Sequence, residues 1–305
     1  MATFTKLSST TIILLTILFL ILYNHPSRTE TPHHYATPSK DGIRIPKKIW
    51  YKVGPKGLSA DSATWVEECM HKNPSYSVQM LTDETGDEYV RARFGLRPDI
   101  VHTYLALQIP ILKADLLRYL LLYSEGGVWS DLDVSCEVPI EEYVSVEYAG
   151  RAGLVVGWEF DVGWGENIMR QFASWTIMAE AGCVHLGVVI DDIVDAVREK
   201  AEMFGVGIGE LSVEMAGDVI DLTGPRRLTR GVLKSLGNVR GEKFDVESVS
   251  RLGKPVLVED VLILPGFAFA ASSNNYEPGE WNVTGPALVT HHYAGSWKNH
   301  HGGEM

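Results

Sequence analysis

The stretch KADLLRYLLLYSEGGVWSDLD, residues 113–133, most constrains what this chain can fold into. Its first part, 111–124, is Leu-rich and holds no Gly or Pro, a composition that favours helix. Gly126 and Gly127 stop that helix, because Gly takes the left-handed conformation without a Cβ clash. Val128, Trp129 and Ser130 favour a strand, and Asp131-Leu132-Asp133 follows. In an extended chain residues i and i+2 share a side. The two carboxylates are therefore expected about 6–7 Å apart, with Leu132 turned to the core. Two carboxylates on one side of a strand end make an oxygen-rich site for a hard cation, Mg²⁺ or Mn²⁺. Such ions share their other positions with water and substrate phosphates. Asp-x-Asp alone is a common loop pattern; the helix, the Gly-Gly stop and the apolar Leu132 single it out here.

Asp115 and Arg118 are almost the only charges in the middle of the helix. At i and i+3 they project from one face. The helix is otherwise so apolar that both must be largely buried, and buried charges need partners.

Residues 45–50 read as the first strand of the globular body, with Pro46 early in it. A helix over 60–72 turns Trp65, Val66 and Met70 to the core and ends before Pro74. Residues 76–81 alternate like a strand, and 84–94 form a helix. This order implies an α/β fold with a parallel or mixed sheet under helical cover. Ligands then bind beyond the C-terminal strand ends. A strand over 153–161 ends in Glu159 and Asp161, again at period-two spacing; these either face a ligand or are loop acids. Helices are expected over 167–180 and 185–200, the latter with Asp191, Asp192 and Asp195 on a solvated face. Thr223-Gly224-Pro225 opens a helix running through Leu236, with Pro at the first helical position. Backbone N–H groups at such an end can bind an anion or orient a sugar hydroxyl. Residues 256–264 are strand-like. Val289 and Thr290 form a short strand before His291-His292, so only one of the paired imidazoles faces a given side.

A chain of 305 residues, 45% of them hydrophobic, can bury one large core or two small ones. Its net charge of −12 argues against nucleic-acid binding. An acidic body that holds a diphosphate needs a local positive device, and a metal ion supplies one. Residues 10–23 are dominated by Ile and Leu and are read as an uncleaved signal anchor rather than a cleaved signal peptide. Residues 27–41, rich in Pro, Thr, Ser and His, read as a stem. The expected division is 1–24 tail and anchor, 25–44 stem and 45–305 catalytic domain. Cys69, Cys136 and Cys183 allow at most one disulfide, are not spaced as metal ligands, and are read as core or incidental residues. Asn282-Val283-Thr284 is an N-glycosylation acceptor sequence.

Several segments together resemble the fungal initiation-specific α-1,6-mannosyltransferase family, among the glycosyltransferases with an Asp-x-Asp sugar-nucleotide motif. They are Ile45-Pro46-Lys47-Lys48-Ile49-Trp50, Ile109-Pro110-Ile111-Leu112-Lys113-Ala114-Asp115, Arg118-Tyr119 and Gly126-Gly127-Val128-Trp129-Ser130-Asp131-Leu132-Asp133. Thr223-Gly224-Pro225 and His291-His292-Tyr293-Ala294-Gly295-Ser296-Trp297 complete the set, in the family's order. The family has Gln after Trp50, and this chain has Tyr51-Lys52. The resemblance implies a GT-A-like nucleotide-sugar-binding domain with a mixed, mainly parallel central sheet flanked by helices. It implies retaining transfer of mannose from GDP-mannose to an oligomannose N-glycan in the Golgi or ER lumen, from a single-pass type II membrane protein. Trp50 would lie under the nucleotide base, and Asp115, Arg118, Gly126, Gly127 and Asp131 would position the donor. Asp131, Asp133 and His291, with His292 behind it, would hold Mn²⁺ or Mg²⁺. Trp297 would meet a phosphate or stack on the nucleotide, and Thr223, Gly224 and Ser296 would line the site. The alternatives are a same-fold transferase using UDP-galactose or UDP-glucose, one with inositol phosphoceramide as acceptor, and a non-catalytic sugar-nucleotide-binding protein.

Overall fold

A computed structural model describes residues 44–162, 169–276 and 286–294. The anchor and stem expectations, the Asn282 acceptor sequence, Ser296 and Trp297 lie outside the described residues. Among the described residues no helix is long and apolar enough to cross a membrane.

Strand β1 (Lys48–Lys52) starts three residues later than the expected 45–50 and pairs in parallel with β2 (Ser77–Leu81). Between them runs α1 (Ala60–Lys72), whose first turn is capped by the Ser59 hydroxyl accepting from the Ser62 N–H. Helix α2 (Asp83–Arg93) starts from a reciprocal Thr82–Thr85 capping box. Helix α3 (Pro98–Ala106) and the Leu-rich α4 (Pro110–Glu125) both begin on a proline, which needs no N–H there. Helix α4 ends where sequence places its stop. Gly126 (φ 69°) and Gly127 (φ 108°) turn the chain into β3 (Gly127–Ser130). A Cβ at Gly127 would stand 2.6 Å from the Lys48 carbonyl oxygen, and one at Gly126 would stand 2.7 Å from the Ala181 nitrogen. These two glycines are thus required by packing as well as by backbone angle.

Beyond β3 come β4 (Val134–Cys136), β5 (Leu154–Phe160), β6 (Gln171–Phe172) and β7 (Thr176–Ala179). Helix α5 (Val184–Phe204), helix α6 (Pro225–Arg240), strands β8 (Val256–Val258) and β9 (Val261–Leu264), and β10 (Val289–His291) complete the body. The main sheet has the order β2-β1-β3-β7-β5-β9-β8, with β6 added to β5. Strands β2, β1, β3, β5 and β9 run one way; β7, β8 and β6 run the other. The sheet is mixed and its strands are mainly parallel, as an α/β chain requires. Strand β10 pairs antiparallel with β4 in a separate two-stranded sheet.

Two secondary-structure expectations fail, and Met70 of α1, expected in the core, is 41% exposed. Residues 171–179 form β6 and β7 instead of the end of a helix. Their apolar spacing suits a helix, but the slot between β3 and β5 takes an extended chain, and all four residues of β7 are buried there. Residues 256–264 form a hairpin instead of one strand, turning at Glu259 with φ 55°.

Alternate residues of β1 feed two cores. Trp50 joins the larger one with α4 and α5, while Ile49 and Tyr51 join a smaller one on the other face with Val66 and Cys69 of α1. Cys69 and Cys136 form a disulfide, correcting the incidental reading of these two residues; it ties α1 to β4 across 67 residues. Cys183 is free and buried.

Candidate active site

The C-terminal ends of β3 and β5 lie at the same edge of the sheet, with the start of β7 between them. Asp131-Leu132-Asp133 does not continue β3 as an extended chain. It forms a turn in which the Val134 N–H donates to the Asp131 carbonyl at 3.2 Å. The spacing expected from a straight strand therefore does not apply. Leu132 packs half-buried against the smaller core.

The turn gives the two acids different neighbours. Asp131 Oδ1 accepts from the Trp129 indole N–H at 2.7 Å and lies 3.6 Å from Arg118 Nη2. Arg118 is buried on α4, where Nη2 lies 2.9 Å from Asp115 Oδ1 and Nη1 donates to the Ser174 carbonyl. Its guanidinium also lies over the Trp129 ring, 5.2 Å from the centroid. Asp115 is completed by Thr223, whose hydroxyl donates to Oδ2 at 2.7 Å. Tyr119 in turn donates to the Thr223 carbonyl at 3.1 Å. Burial pushes Asp115 up to about 6, against the pull of Arg118 and the Thr223 hydroxyl. Burial also raises Asp131, against the pull of Arg118.

Asp133 meets the C-terminal segment. Strand β10 sets His291 opposite Val134, and His292 N–H donates to the Asp133 carbonyl at 2.8 Å. His291 Nε2 lies 3.3 Å from Asp133 Oδ2, which also accepts from the Ala294 N–H at 3.1 Å. Burial pushes the Asp133 carboxyl up, but these His291 and backbone contacts outweigh it and hold it below its ordinary value. His291 stacks on Trp175, with centroids 4.1 Å apart. The Trp175 carbonyl accepts from the Asp131 N–H at 2.9 Å, so one residue steadies both acids. His292 is held elsewhere: it stacks on Trp65 at 3.9 Å, and its Nε2 is 3.0 Å from Ser135 Oγ.

Of the expected trio, then, the structure brings Asp133 and His291 together and turns an Asp131 oxygen toward Trp129 and Arg118. Among the described residues no three His, Cys, Asp or Glu side chains are grouped to hold a metal ion. The Asp133–His291 pair itself suits one. Two ligands on a single Mg²⁺-sized ion stand about 3 Å apart when each is about 2 Å from it, and the 3.3 Å between Nε2 and Oδ2 matches. Oxygen plus imidazole also suits Mn²⁺. The side chains of Asp131, Asp133 and His291 are 28%, 19% and 13% exposed, whereas Asp115 and Arg118 are each 4% exposed. The first three reach solvent; the other two lie buried behind them.

Other expected residues fall as follows. Trp50 is buried, and its indole N–H donates to the Gly126 carbonyl at 2.8 Å, bracing the Gly-Gly turn. Gly224 is the N-cap of α6, and a Cβ there would stand 2.9 Å from Ile220 Cα. Glu159 is buried at the end of β5 and accepts from the Gln171 amide at 2.7 Å. Asp161 is tied to Arg170 at 3.2 Å and to the Arg251 N–H at 2.7 Å. Sequence reasoning missed Ser174 and Trp175. The mistaken helix hid them, and their partners Arg118 and His291 lie far away in the chain.

Residues 59–149 match the family described as a glycosyltransferase sugar-binding region containing a DXD motif, which sets the class as glycosyltransferase. The initiation-specific α-1,6-mannosyltransferase of Candida albicans is 30% identical over 298 residues, covering 87% of this chain and 75% of that one. The enzyme of the same name from Schizosaccharomyces pombe is 32% identical over 279 residues, covering 88% of this chain and 66% of that one. This chain belongs to the initiation-specific α-1,6-mannosyltransferase family. Among solved structures, the PaToxG glycosyltransferase superposes with a TM-score of 0.46 at 15% identity, covering 65% of this chain and 73% of that one.

Proposed function

We propose that the chain transfers mannose from GDP-mannose to an oligomannose N-glycan with retention of the α-configuration, from a signal-anchored position in the Golgi or ER lumen. The observation that carries this is the pairing of Asp133 with His291 beside Asp131, backed by the buried Arg118–Asp115–Thr223 network. The names of the relatives support the sugar and linkage. The Cys69–Cys136 disulfide supports an oxidising compartment such as the secretory lumen.

Asp133 and His291 would hold a divalent cation, Mn²⁺ or Mg²⁺, which when bound neutralises charge on the departing diphosphate. Asp131 faces the donor, held in one orientation by the Trp129 indole and steadied electrostatically by Arg118. Arg118 is itself pinned by Asp115 and the Ser174 carbonyl, so it need not reorganise when the donor enters. Thr223 fixes the second Asp115 oxygen and joins the start of α6 to this network. Asp115 and Arg118 are thereby positioning residues, and Asp131, Asp133 and His291 are the groups that meet the donor.

The test is a transfer and hydrolysis screen over GDP-mannose, UDP-galactose and UDP-glucose, with and without Mn²⁺, offering a high-mannose N-glycan or inositol phosphoceramide. Mannose transfer to the glycan, dependent on Mn²⁺, is the expected result. Asp133→Ala should lose about 100- to 1,000-fold in kcat while keeping its circular dichroism spectrum. Undiminished turnover in that variant removes the metal route, and transfer only from a UDP-sugar removes the donor assignment.

A further inference from the structure

Tyr293 follows His291 by two residues and holds φ at 49°, a backbone region that bulky residues rarely occupy. Its side is packed but its body is not buried. The hydroxyl is 2.6 Å from Ser273 Oγ, the ring meets the edge of Trp175 at 5.8 Å, and it tilts against His291 at 4.1 Å, yet 48% of the residue remains exposed. An aromatic ring held this way beside a reactive site contributes little to the core and offers a rigid surface to a ligand.

Glu159 is 7% exposed at the end of β5 and lies within electrostatic reach of both His291 and Tyr293. The backbone around it is rigid: the Asn274 amide donates to the Glu159 carbonyl at 2.8 Å, and its oxygen accepts from the N–H groups of Asp161 and Val162, each at 2.9 Å. Among the described residues three carboxylates are buried. Asp115 has Arg118 and Asp161 has Arg170, but Glu159 has the neutral Gln171 amide and no cation at ion-pair distance. A buried acid without a countercharge repels a diphosphate. It suits a neutral hydroxyl, which donates a hydrogen bond to it. A hexose pairs such hydroxyls with an apolar C–H face, which fits the electron-rich face of an aromatic ring.

We propose that Tyr293 and Glu159 form the acceptor subsite: the Tyr293 ring carries the reactive terminal hexose of the acceptor, and Glu159 accepts a hydrogen bond from one of its hydroxyls. This rests on the transferase reading above. Asp161, two residues on and similar in sequence context, has no part in it, because both its oxygens serve the fold.

The test uses the full chain with Mn²⁺ and GDP-mannose, comparing the wild type with Tyr293→Ala, Glu159→Gln and Tyr293→Phe. Three quantities are measured: KM for a high-mannose N-glycan, the Kd of GDP with Mn²⁺ by calorimetry, and saturation-transfer NMR of the glycan on GDP-loaded protein. Tyr293→Ala and Glu159→Gln should each raise acceptor KM about tenfold or more and weaken the NMR signal. Their GDP affinity should stay within about twofold, and Tyr293→Phe, which keeps the ring, should stay within about threefold of the wild-type KM. An unchanged acceptor KM in either Tyr293→Ala or Glu159→Gln, or GDP affinity falling in step with it, overturns the subsite while the transferase stands. A wild type that neither binds GDP nor transfers mannose overturns the transferase reading, and this proposal with it.

Discussion

Two strand ends in this protein carry the same pattern, acid-x-acid, and their surroundings share almost nothing. At the end of β3, Asp131 is met by the Trp129 indole and a buried arginine, and Asp133 by an imidazole and a backbone N–H. At the end of β5, Glu159 is met by a neutral amide, while Asp161 is consumed by Arg170 and the Arg251 backbone. The first end gathers positive charge around carboxylates that still reach solvent. The second splits into one acid that braces the fold and one buried without a countercharge. Spacing along a strand says that two acids are near one another; it says nothing of what the rest of the chain brings to them.

The comparison breaks most readily at Arg118. Replacing it with Met leaves Asp115 buried with only the Thr223 hydroxyl, an expected cost of about 3–5 kcal/mol in urea unfolding. A loss below about 1 kcal/mol would mean that this end does not depend on its cation. The second end should be less sensitive. Asp161→Ala removes the acceptor of the Arg251 N–H and one of the two carboxylates on Arg170, which keeps Glu247, an expected cost of about 1–3 kcal/mol by the same measurement.

Glu159 gives the most informative sign. Burial pushes its carboxyl up to about 7 from an ordinary 4.5. The folded state therefore keeps the proton through a window where the unfolded chain releases it, so stability falls as pH rises from 4.5 to 7. Glu159→Gln removes that loss. The variant should exceed the wild type at pH 8, on the order of 2 kcal/mol, with the advantage fading toward pH 4.5. Asp133→Asn should behave in the opposite sense. The Asp133 carboxyl is held below its ordinary range, so its contribution is present at neutral pH and is lost as pH falls through the folded value. Melting curves across pH for both variants check the pair, and matching slopes would erase the distinction between the two ends.

How much of this was legible beforehand follows from the range of each interaction. Helix α4, its Gly-Gly stop and the burial of Asp115 with Arg118 are local matters of composition and periodicity, and they read directly from residues 111–127. The parallel layer β1–α1–β2 read almost as well. Residues 171–179 did not, because a run that can pack as a helix was drafted into a strand by an open slot between β3 and β5. The Cys69–Cys136 pairing and the two-residue turn at Glu259 are likewise set by what lies opposite.

The sequence by itself determined an α/β chain with an acidic strand end behind a buried ion pair, since apolar spacing, glycine stops and the cost of burying charge act over a few residues. Only the tertiary structure decided which acid meets which partner. It put Asp131 and Asp133 on a turn with different neighbours, brought His291 to Asp133 through the pairing of β10 with β4, and set Trp175 against His291 and the Asp131 N–H. Those contacts join residues far apart in the chain, and each depends on the geometry of the elements that carry it more than on the sequence around it.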